Sequence, residues 1–339
     1  MIFSGDCIRI PVTDNSQVGE ARRCASRLAG DSGFDAHTAG RAALIATELA
    51  TNLVKYGKET GELLLQSLSH DAASTGLELI AIDKGPGLHD IGSCMADGTS
   101  TSGTPGTGLG AVRRTSDSFH FHTAPGEGSV FACRVWNGSI PANNGWGAVC
   151  VPVKGEECCG DRWTVMQDHS RTVVMIADGL GHGPLAAEAA RAAADVLHQN
   201  WLRRPAEVLG FMHGAMRATR GAAVAVAVID QARGIVDYAG VGNIAASILK
   251  GASSRSLISH NGIVGHEARK IQEFSYPWEP DSTLVMYSDG ISTRVLHGYP
   301  ALAHNTPSVI AATLYRDFAR SRDDATVVVV RESAGAHGC

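Results

Sequence analysis

Two groups of polar residues stand at spacings that could do chemistry, and the first lies in a segment with helical periodicity. Glu48 and Asn52 are four residues apart in a run, from about Ala36 to Tyr56, whose apolar pattern predicts one long helix closed by Gly57, with an apolar stripe of Leu44, Ile45, Leu49 and Leu53. Their side chains would project from the same face of that helix. The carboxamide could hold a hard cation such as Mg2+, and the carboxylate could accept a proton from a hydroxyl group. Taken alone, the pair favours a solvated helix face.

Two glycine-containing segments downstream favour a nucleotide site. Asp83 directly follows an apolar strand, and Gly85 and Gly87 after it would let a flat ring approach the backbone. A second glycine run precedes a helical segment and consists of Gly106, Thr107, Gly108, Leu109 and Gly110. The free N–H groups and the positive end of a helix suit phosphate groups. A cation ligand, an acceptor and a phosphate loop together predict a bound nucleotide.

The second group consists of aspartates at the ends of strand-like segments in the C-terminal half. Asp178 ends the apolar run VVMIAD, and Gly179 after it leaves a carbonyl free and space open. Comparable positions are occupied by Asp161, Asp289 and Asp323, the last with Asp324 beside it. Buried carboxylates need a counter-charge, and four that converge would hold two hard divalent ions such as Mn2+ or Mg2+. Each aspartate alone is more typical of a turn or a cap, but the set favours a metal centre.

The elements that must position these residues fall into two domains. A chain of 339 residues exceeds the ~100 to 200 residues usual for one domain. The segment WNGSIPANNG, residues 136–145, has the composition of a turn or linker between two strand-like runs. We therefore predict domains at residues 1–137 and 145–332. The pattern of the first domain predicts an α+β sandwich with a ligand loop. The second domain is predicted to consist mainly of strands, with two or more helices.

Composition restricts the partners and the location of the protein. The net charge is -5, and Lys and Arg form no run longer than a pair, so nucleic acid is not an expected partner. No apolar run approaches the ~18 residues needed to cross a bilayer, and no apolar leader precedes Asp6. These observations predict no membrane association and a cytoplasmic location. The 8 cysteines are scattered, which predicts reduced thiols.

In its order and spacing, the N-terminal half resembles the GHKL (Bergerat) ATPase and kinase fold. ExxxN on a helix, DxGxG after a strand, GTGLG before a helix and GEGSVF in the last hairpin resemble its N, G1 and G2 boxes. Within this fold the segments are most similar to RsbT-type switch kinases of the stressosome and to anti-sigma serine kinases. The resemblance implies that ATP or ADP binds with Mg2+ on Asn52, with the adenine amino group on Asp83 and Glu48 as general base. Gly106, Gly108 and Gly110 would wrap the phosphates.

The C-terminal half, from about residue 146 to 331, resembles the PPM-type phosphatases of the SpoIIE and RsbX branch. The motifs GD, ADGxGHG, SDG and DDxT occur in the order typical of that family. The resemblance implies an αββα sandwich in which Asp178 bridges two metal ions and the carbonyl of Gly179 binds one of them. Asp289 and Asp323 would bind the other ion, Asp161 would bind directly or through a neighbour, and Asp324 is less favoured than Asp323. A metal-bound hydroxide would then attack phosphorus in line.

Two roles in this second site stay open in the sequence. His182 comes two residues later than the histidine of related phosphatases, so it is a candidate general acid or simply a residue at a helix start. Arg162, Arg171 and Arg322 are equally eligible to bind the phosphate of the substrate.

The two resemblances predict a bifunctional regulator of a partner-switching pathway. The first domain would phosphorylate a serine or threonine of a STAS-domain antagonist protein, and the second would remove such phosphates. A sigma factor or downstream regulator is a further candidate partner. One alternative keeps the phosphatase and makes the first domain a nucleotide sensor or docking module. Another is a protein that sequesters a sigma factor or antagonist without catalysis, which the costly buried carboxylates disfavour.

Overall fold

The computed structural model describes residues 2–3, 5–71, 74–88, 108–141, 145–168, 170–292 and 305–331. The chain forms two compact units, Cys7–Ala142 and a second one that combines Met1–Asp6 with Asn143–Cys339. All sheets are antiparallel and helices accompany them, which confirms the α+β class. The predicted division placed residues 1–6 in the first domain. They lie in the second unit, because strand β1 (Ile2–Phe3) pairs with a strand of that unit.

The first unit is a five-stranded sheet with helices on one face. Its elements are β2 (Ile8–Pro11), α1 (Asn15–Asp31), α2 (Ala36–Tyr56), β3 (Glu62–Asp71), β4 (Ser74–Asp83), α3 (Gly108–Thr115), β5 (Ser118–Ala124) and β6 (Gly128–Asn137). The strand order is β2-β3-β4-β6-β5. Because β4 is central, its end delivers Asp83 to the middle of the sheet edge.

Helix α2 carries the first candidate residues, and its ends are defined by local hydrogen bonds. The side chain of Asp35 accepts the N–H of Thr38 (2.9 Å) and so satisfies a donor that the first turn leaves unpaired. Ile45, Leu49 and Leu53 are buried in the core of the unit. Leu44, which the apolar pattern also placed in that stripe, is 44% exposed. It lies one turn before Glu48, so it shares the face that points away from the core.

The second unit contains two sheets and three helices among the residues described. Its elements are β1, β7 (Trp146–Val151), β8 (Asp161–Gln167), β9 (Arg171–Gly179), α4 (Pro184–Asn200), α5 (Pro205–Ala215), β10 (Ala222–Asp230), β11 (Ile235–Val241), β12 (Ala245–Lys250), β13 (Ser253–Ser256), β14 (Glu273–Pro277), β15 (Thr283–Tyr287), α6 (Pro307–Phe318) and β16 (Ala325–Arg331). One sheet has the order β1-β8-β9-β10-β11-β14 and the other β13-β12-β15-β16-β7.

These sheets pack face to face between helices. Helices α4 and α5 share a core with the outer face of the first sheet, and α6 packs on β7 and β16 of the second. Between the sheets, the rings of Trp146 and Trp163 lie 5.3 Å apart and both residues are fully buried. Strand β9 is therefore buried on both faces, which explains its continuous apolar sequence. The ends of β8 and β9 meet the ends of β15 and β16 at one edge of this sandwich.

No helix in the described ranges is both long enough and apolar enough to cross a membrane.

Candidate functional site

The start of α3 lies against the Glu48 and Asn52 side chains of α2. A Cβ atom placed on Gly108 would be 3.5 Å from Asn52 Oδ1 and 3.9 Å from Glu48 Oε2. The structure therefore brings the helix pair and the glycine run together. Leu109 and Gly110 continue the first turn of α3 and are buried, with Leu109 in the core of the unit. Gly106 and Thr107, the other predicted members of the run, lie outside the described residues.

Asn52 has a polar atom that needs a ligand. Its Nδ2 is buried and has no hydrogen-bond partner in the structure. A buried donor without an acceptor costs about 1–3 kcal/mol, so such a group is retained where a ligand can pair with it. The carboxamide faces the helix start, where phosphate oxygens would be held. These features fit a nucleotide with Mg2+ in this part of the first unit.

Asp83 and the glycines after it form a loop that contacts the end of α2 and the β5–β6 hairpin. Asp83 is 7% exposed, and its Oδ1 accepts the N–H of Gly85 (2.7 Å). A Cβ on Gly85 would lie 2.3 Å from the carbonyl oxygen of Tyr56, and one on Gly87 would lie 2.0 Å from that of Ala124. Gly87 also has φ +67°. Only glycine fits at either position, so the loop after β4 is held tightly against α2 and the β5–β6 hairpin.

The carboxylates of the second unit come from both of its sheets. Asp161 begins β8 and is the direct cross-strand partner of Asp178 near the end of β9. Asp289 follows β15 and Asp323 precedes β16 in the other sheet. Asp178, Asp289 and Asp323 line one cavity of about 480 Å³. Asp161 is buried beside it, and its Oδ2 accepts the hydroxyl of Ser288 (2.6 Å).

Electrostatics show that this cluster has an excess of negative charge. Burial, and then the neighbouring carboxylates, raise the pKa values of the cross-strand pair, to about 7 for Asp161 and about 9 for Asp178. Burial and Asp323 also raise the pKa of Asp289, against which Arg320 acts in the opposite direction. Carboxylates in this state lack a counter-charge, and hard oxygen donors suit Mg2+ or Mn2+. The donor set therefore fits divalent cations.

The spacing of the carboxylates limits how such cations would be held. Within the described ranges, no three His, Cys, Asp or Glu side chains are gathered closely enough to hold one ion by themselves. An ion would therefore take one or two carboxylates and complete its coordination with carbonyl oxygens and water, as Mg2+ commonly does. Gly179, at the end of β9, is the predicted source of such a carbonyl oxygen. A Cβ at Gly179 would lie 2.1 Å from the carbonyl oxygen of Ala186, so this position requires glycine.

Asp324 has a structural role that separates it from Asp323. Its Oδ1 accepts the N–H of Val153 (2.7 Å), and its Oδ2 accepts the N–H of Gly160 (2.8 Å). Gly160 in turn accepts the N–H of Gly179 (3.1 Å). Both oxygens of Asp324 are thus used to fix the loop before β8, whereas the side chain of Asp323 lines the cavity.

Replacing Asp324 with Asn is expected to lower the free energy of unfolding by about 1.5–3 kcal/mol, because one backbone N–H loses a charged acceptor. Asp323→Asn is the matched variant, and it should weaken Mn2+ binding with little effect on stability. Urea denaturation and Mn2+ titration of both proteins measure the two effects. A larger loss of Mn2+ affinity in Asp324→Asn than in Asp323→Asn would contradict this assignment.

Several polar residues at the site were not predicted from the sequence. The Ser288 hydroxyl that binds Asp161 also accepts the N–H of Thr326 (3.0 Å), which links the two sheets. Asn243 Nδ2 donates to Asp289 Oδ2 (2.7 Å). Arg220 lies beside the cavity loop, where a Cβ on Gly181 would be 3.2 Å from its guanidinium. Ser288 precedes Asp289 directly in the SDG motif, which was the one signal available to find it.

The candidate arginines and His182 are placed differently from one another. Arg171 is wrong as a phosphate ligand, because it begins β9 at the opposite end from Asp178 and donates to the carbonyl oxygens of Trp201 and Arg203. Arg162 lies 3.9 Å from the carboxylate of Asp6. Arg322 is exposed just before Asp323. His182 is exposed and its Nδ1 pairs with Glu156 (2.7 Å).

With a chelator present, the melting temperature is expected to fall as the pH rises from about 5 to 9. The pKa values of Asp161 and Asp178 are raised to about 7 and about 9, whereas an unfolded aspartate titrates near ~3.9. The folded chain therefore binds protons more tightly, and this stabilisation is complete below the unfolded pKa and lost as the pH rises through the folded values. Saturating Mn2+ should remove the trend. Thermal unfolding from pH 5 to 9, with EDTA or with Mn2+, measures the melting temperature. A melting temperature in EDTA that stays level or rises with pH would contradict the raised pKa values of Asp161 and Asp178.

Comparison with known proteins assigns the first unit. Residues 11–133 match the family of histidine kinase-like ATPase domains. The serine/threonine-protein kinase RsbT of Bacillus subtilis (strain 168) is 35% identical over 130 residues, which cover 38% of this chain and 95% of RsbT.

The second unit matches a different family. Residues 168–332 match the Stage II sporulation protein E (SpoIIE) family. The phosphoserine phosphatase RsbX of the same organism is 27% identical over 142 residues, which cover 41% of this chain and 70% of RsbX. A structure from a study of the bacterial stressosome as a modular system that controls secondary messenger signalling has 26% identity and a TM-score of 0.51, covering 55% of this chain and 98% of that one. The crystal structure of RsbX with magnesium, at 21% identity and a TM-score of 0.50 over 56% and 97% of the two chains, shares the fold.

Proposed function

This chain belongs to the family of histidine kinase-like ATPase domains that includes RsbT and joins that domain to a SpoIIE-type phosphatase domain, so we propose that it both adds and removes phosphate in a partner-switching pathway. The substrates would be serine or threonine side chains of STAS-domain proteins. A sigma factor or downstream regulator would be the next partner in the pathway. The proposal is supported by the kinase and phosphatase named among the relatives of the two domains.

In the phosphatase domain, Asp178, Asp289, Asp323 and the carbonyl of Gly179 would hold two divalent ions, Mn2+ or Mg2+. When bound, such ions supply a nucleophilic water of lowered pKa and neutralise charge on the phosphoryl group. Asn243 holds the Asp289 carboxylate in place through its 2.7 Å hydrogen bond. Ser288 does the same for Asp161, which would support Asp178 from the adjacent strand.

In the ATPase domain, each predicted residue would serve one part of the nucleotide or the acceptor. Asn52 would hold the Mg2+ that accompanies ATP, and Asp83 would accept a hydrogen bond from the adenine amino group. The N–H groups at the start of α3, from Gly108 onward, would bind the phosphates. Glu48 would take the proton from the attacking serine hydroxyl, since general bases of this kind act within hydrogen-bond reach of the nucleophile.

The observation that carries the phosphatase proposal is the convergence of Asp178, Asp289 and Asp323 on one cavity. The purified chain should release phosphate from a serine-phosphorylated STAS protein with Mn2+ or Mg2+ and not with EDTA. The same chain, given labelled ATP and the unphosphorylated STAS protein, should transfer label. Release without transfer would leave the first domain as a nucleotide sensor or docking module. Neither release nor transfer, with tight binding to a partner, would favour a sequestering protein.

A further inference from the structure

The guanidinium of Arg220 lies next to Gly181, a residue that lines the carboxylate-containing cavity. Gly181 lines that cavity together with Asp178 and Asp289. A Cβ on Gly181 would be 3.2 Å from a guanidinium nitrogen of Arg220, and Gly181 has φ +87°. Glycine therefore leaves no side chain between the guanidinium and the rim of the cavity. Arg320 acts on Asp289 and opposes the rise in its pKa, and Arg322 is exposed directly before Asp323.

The backbone on both sides of Arg220 is fixed. The N–H of Gly221 donates to the hydroxyl of Thr219 (3.0 Å), and its carbonyl accepts the N–H of Leu180 (3.0 Å) in the cavity loop. Gly221 has φ +75°, and a Cβ there would lie 2.6 Å from Ile263 Cγ2, which belongs to another wall of the cavity. The position of the Arg220 backbone is therefore fixed by contacts of Gly221 with Leu180 and Ile263, which line the cavity.

The guanidinium of Arg220 is available for a ligand. The residue is exposed, and in the described part of the chain it makes no hydrogen bond or ion pair. An arginine fork matches two phosphoryl oxygens at once, and charge-assisted pairs of this kind are among the stronger hydrogen bonds. A cation beside the cavity would attract a phosphate dianion before it reaches the aspartates and the divalent ions that they would hold.

We propose that Arg220 binds the non-bridging phosphoryl oxygens of a phosphoserine or phosphothreonine side chain as it enters the cavity. The proposal rests on the phosphatase function proposed above and adds the residue that positions the substrate. Arg162 lies by Asp6 and Arg171 lies at the far end of β9, so neither competes for this role. Arg220 would act through binding of the phosphoryl group and not through the metal ions.

The test compares Arg220→Ala and Arg220→Lys with Arg217→Ala, an exposed arginine of the short helical turn Met216–Ala218. In Arg220→Ala, the KM for a phosphoserine peptide and the inhibition constant of inorganic phosphate should both rise about 10- to 100-fold. The kcat should change less, Arg220→Lys should recover part of the loss, and Arg217→Ala should behave as wild type. The dissociation constant for Mn2+, measured by titration, should be unchanged in all three.

Two results would overturn the assignment. One is an Arg220→Ala protein whose KM and phosphate inhibition stay within about twofold of wild type. The other is a loss of Mn2+ affinity as large as the rise in KM, which would mean that Arg220 only arranges the carboxylates. If wild type hydrolyses no phosphoserine peptide with either metal, the phosphatase proposal fails on its own. Calorimetric binding of inorganic phosphate to wild type and Arg220→Ala then still decides the role of Arg220.

Discussion

Asp178→Asn is expected to lower metal-dependent hydrolysis of a serine-phosphorylated STAS protein by about 1,000-fold or more. The substitution keeps the shape of the side chain but removes the charge that would be shared between two cations, whose stabilisation of the reacting phosphoryl group amounts to several kcal/mol. In the absence of metal, burial and then the neighbouring aspartates raise the pKa of Asp178 to about 9. Phosphate release with Mn2+, with Mg2+ and with EDTA measures the effect.

The matched control for this variant is Asp195→Asn, at an exposed position of α4 in the same unit. It should keep wild-type activity. Because the Asn variant relieves charge repulsion, its melting temperature in EDTA at pH 8 should equal or exceed that of wild type. Full phosphatase activity in a folded Asp178→Asn protein would show that the cavity is not the catalytic centre.

Asn52→Ala and Glu48→Gln are expected to separate nucleotide binding from phosphoryl transfer. Asn52→Ala should lose Mg2+-dependent binding of ATP, because the buried carboxamide is the predicted metal ligand. Glu48→Gln should still bind ATP but transfer label to the STAS protein roughly 100- to 10,000-fold more slowly, as expected when a general base is removed. Equilibrium binding of a fluorescent ATP analogue and label transfer measure the two steps.

Glu20→Gln, on the exposed face of α1, provides a control that should behave as wild type in both assays. Phosphatase activity should be retained in all three variants, since the carboxylates of the second unit are untouched. Label transfer at the wild-type rate in Glu48→Gln would exclude Glu48 as the base. Wild-type protein that binds ATP and transfers no label would instead leave the sensor alternative.

Much of this architecture was accessible from sequence, because its signals are local. The bounds of α2 follow from apolar periodicity that ends at Gly57, and the structure has the same helix. Leu44 was wrongly predicted to face the core. An apolar stripe with spacings of three and four residues includes residues at both of its margins, and only the packing of the other elements determines which margin is buried. Asp178 and Asp289 each stand next to an apolar strand, so adjacency in sequence was enough to find them.

The parts that escaped prediction depend on distant contacts. Ser288 and Asp161 are 127 positions apart, and no pattern near either residue announces their hydrogen bond. Arg220 lies in a loop whose sequence contains no recognisable motif, and only its contact with Gly181 in another loop indicates a role at the cavity. Asp323 and Asp324 are adjacent and of the same type, so the sequence does not distinguish their roles. In the structure, Asp324 accepts backbone hydrogen bonds from the loop before β8, and Asp323 lines the cavity.

The pairing of β1 with β8 has a consequence for the order of folding. Ile2 and Phe3 are aligned with Met166 and Val165, and the whole first unit lies between them along the chain. Closing so long a loop is slow relative to forming local contacts, and during synthesis β8 leaves the ribosome only after all of Cys7–Ala142. We therefore expect the ATPase unit to fold first while the first strand waits unpaired. Until it docks, the edge of β8 is open, and a nascent chain stalled at this stage is the species most exposed to wrong strand pairing and aggregation.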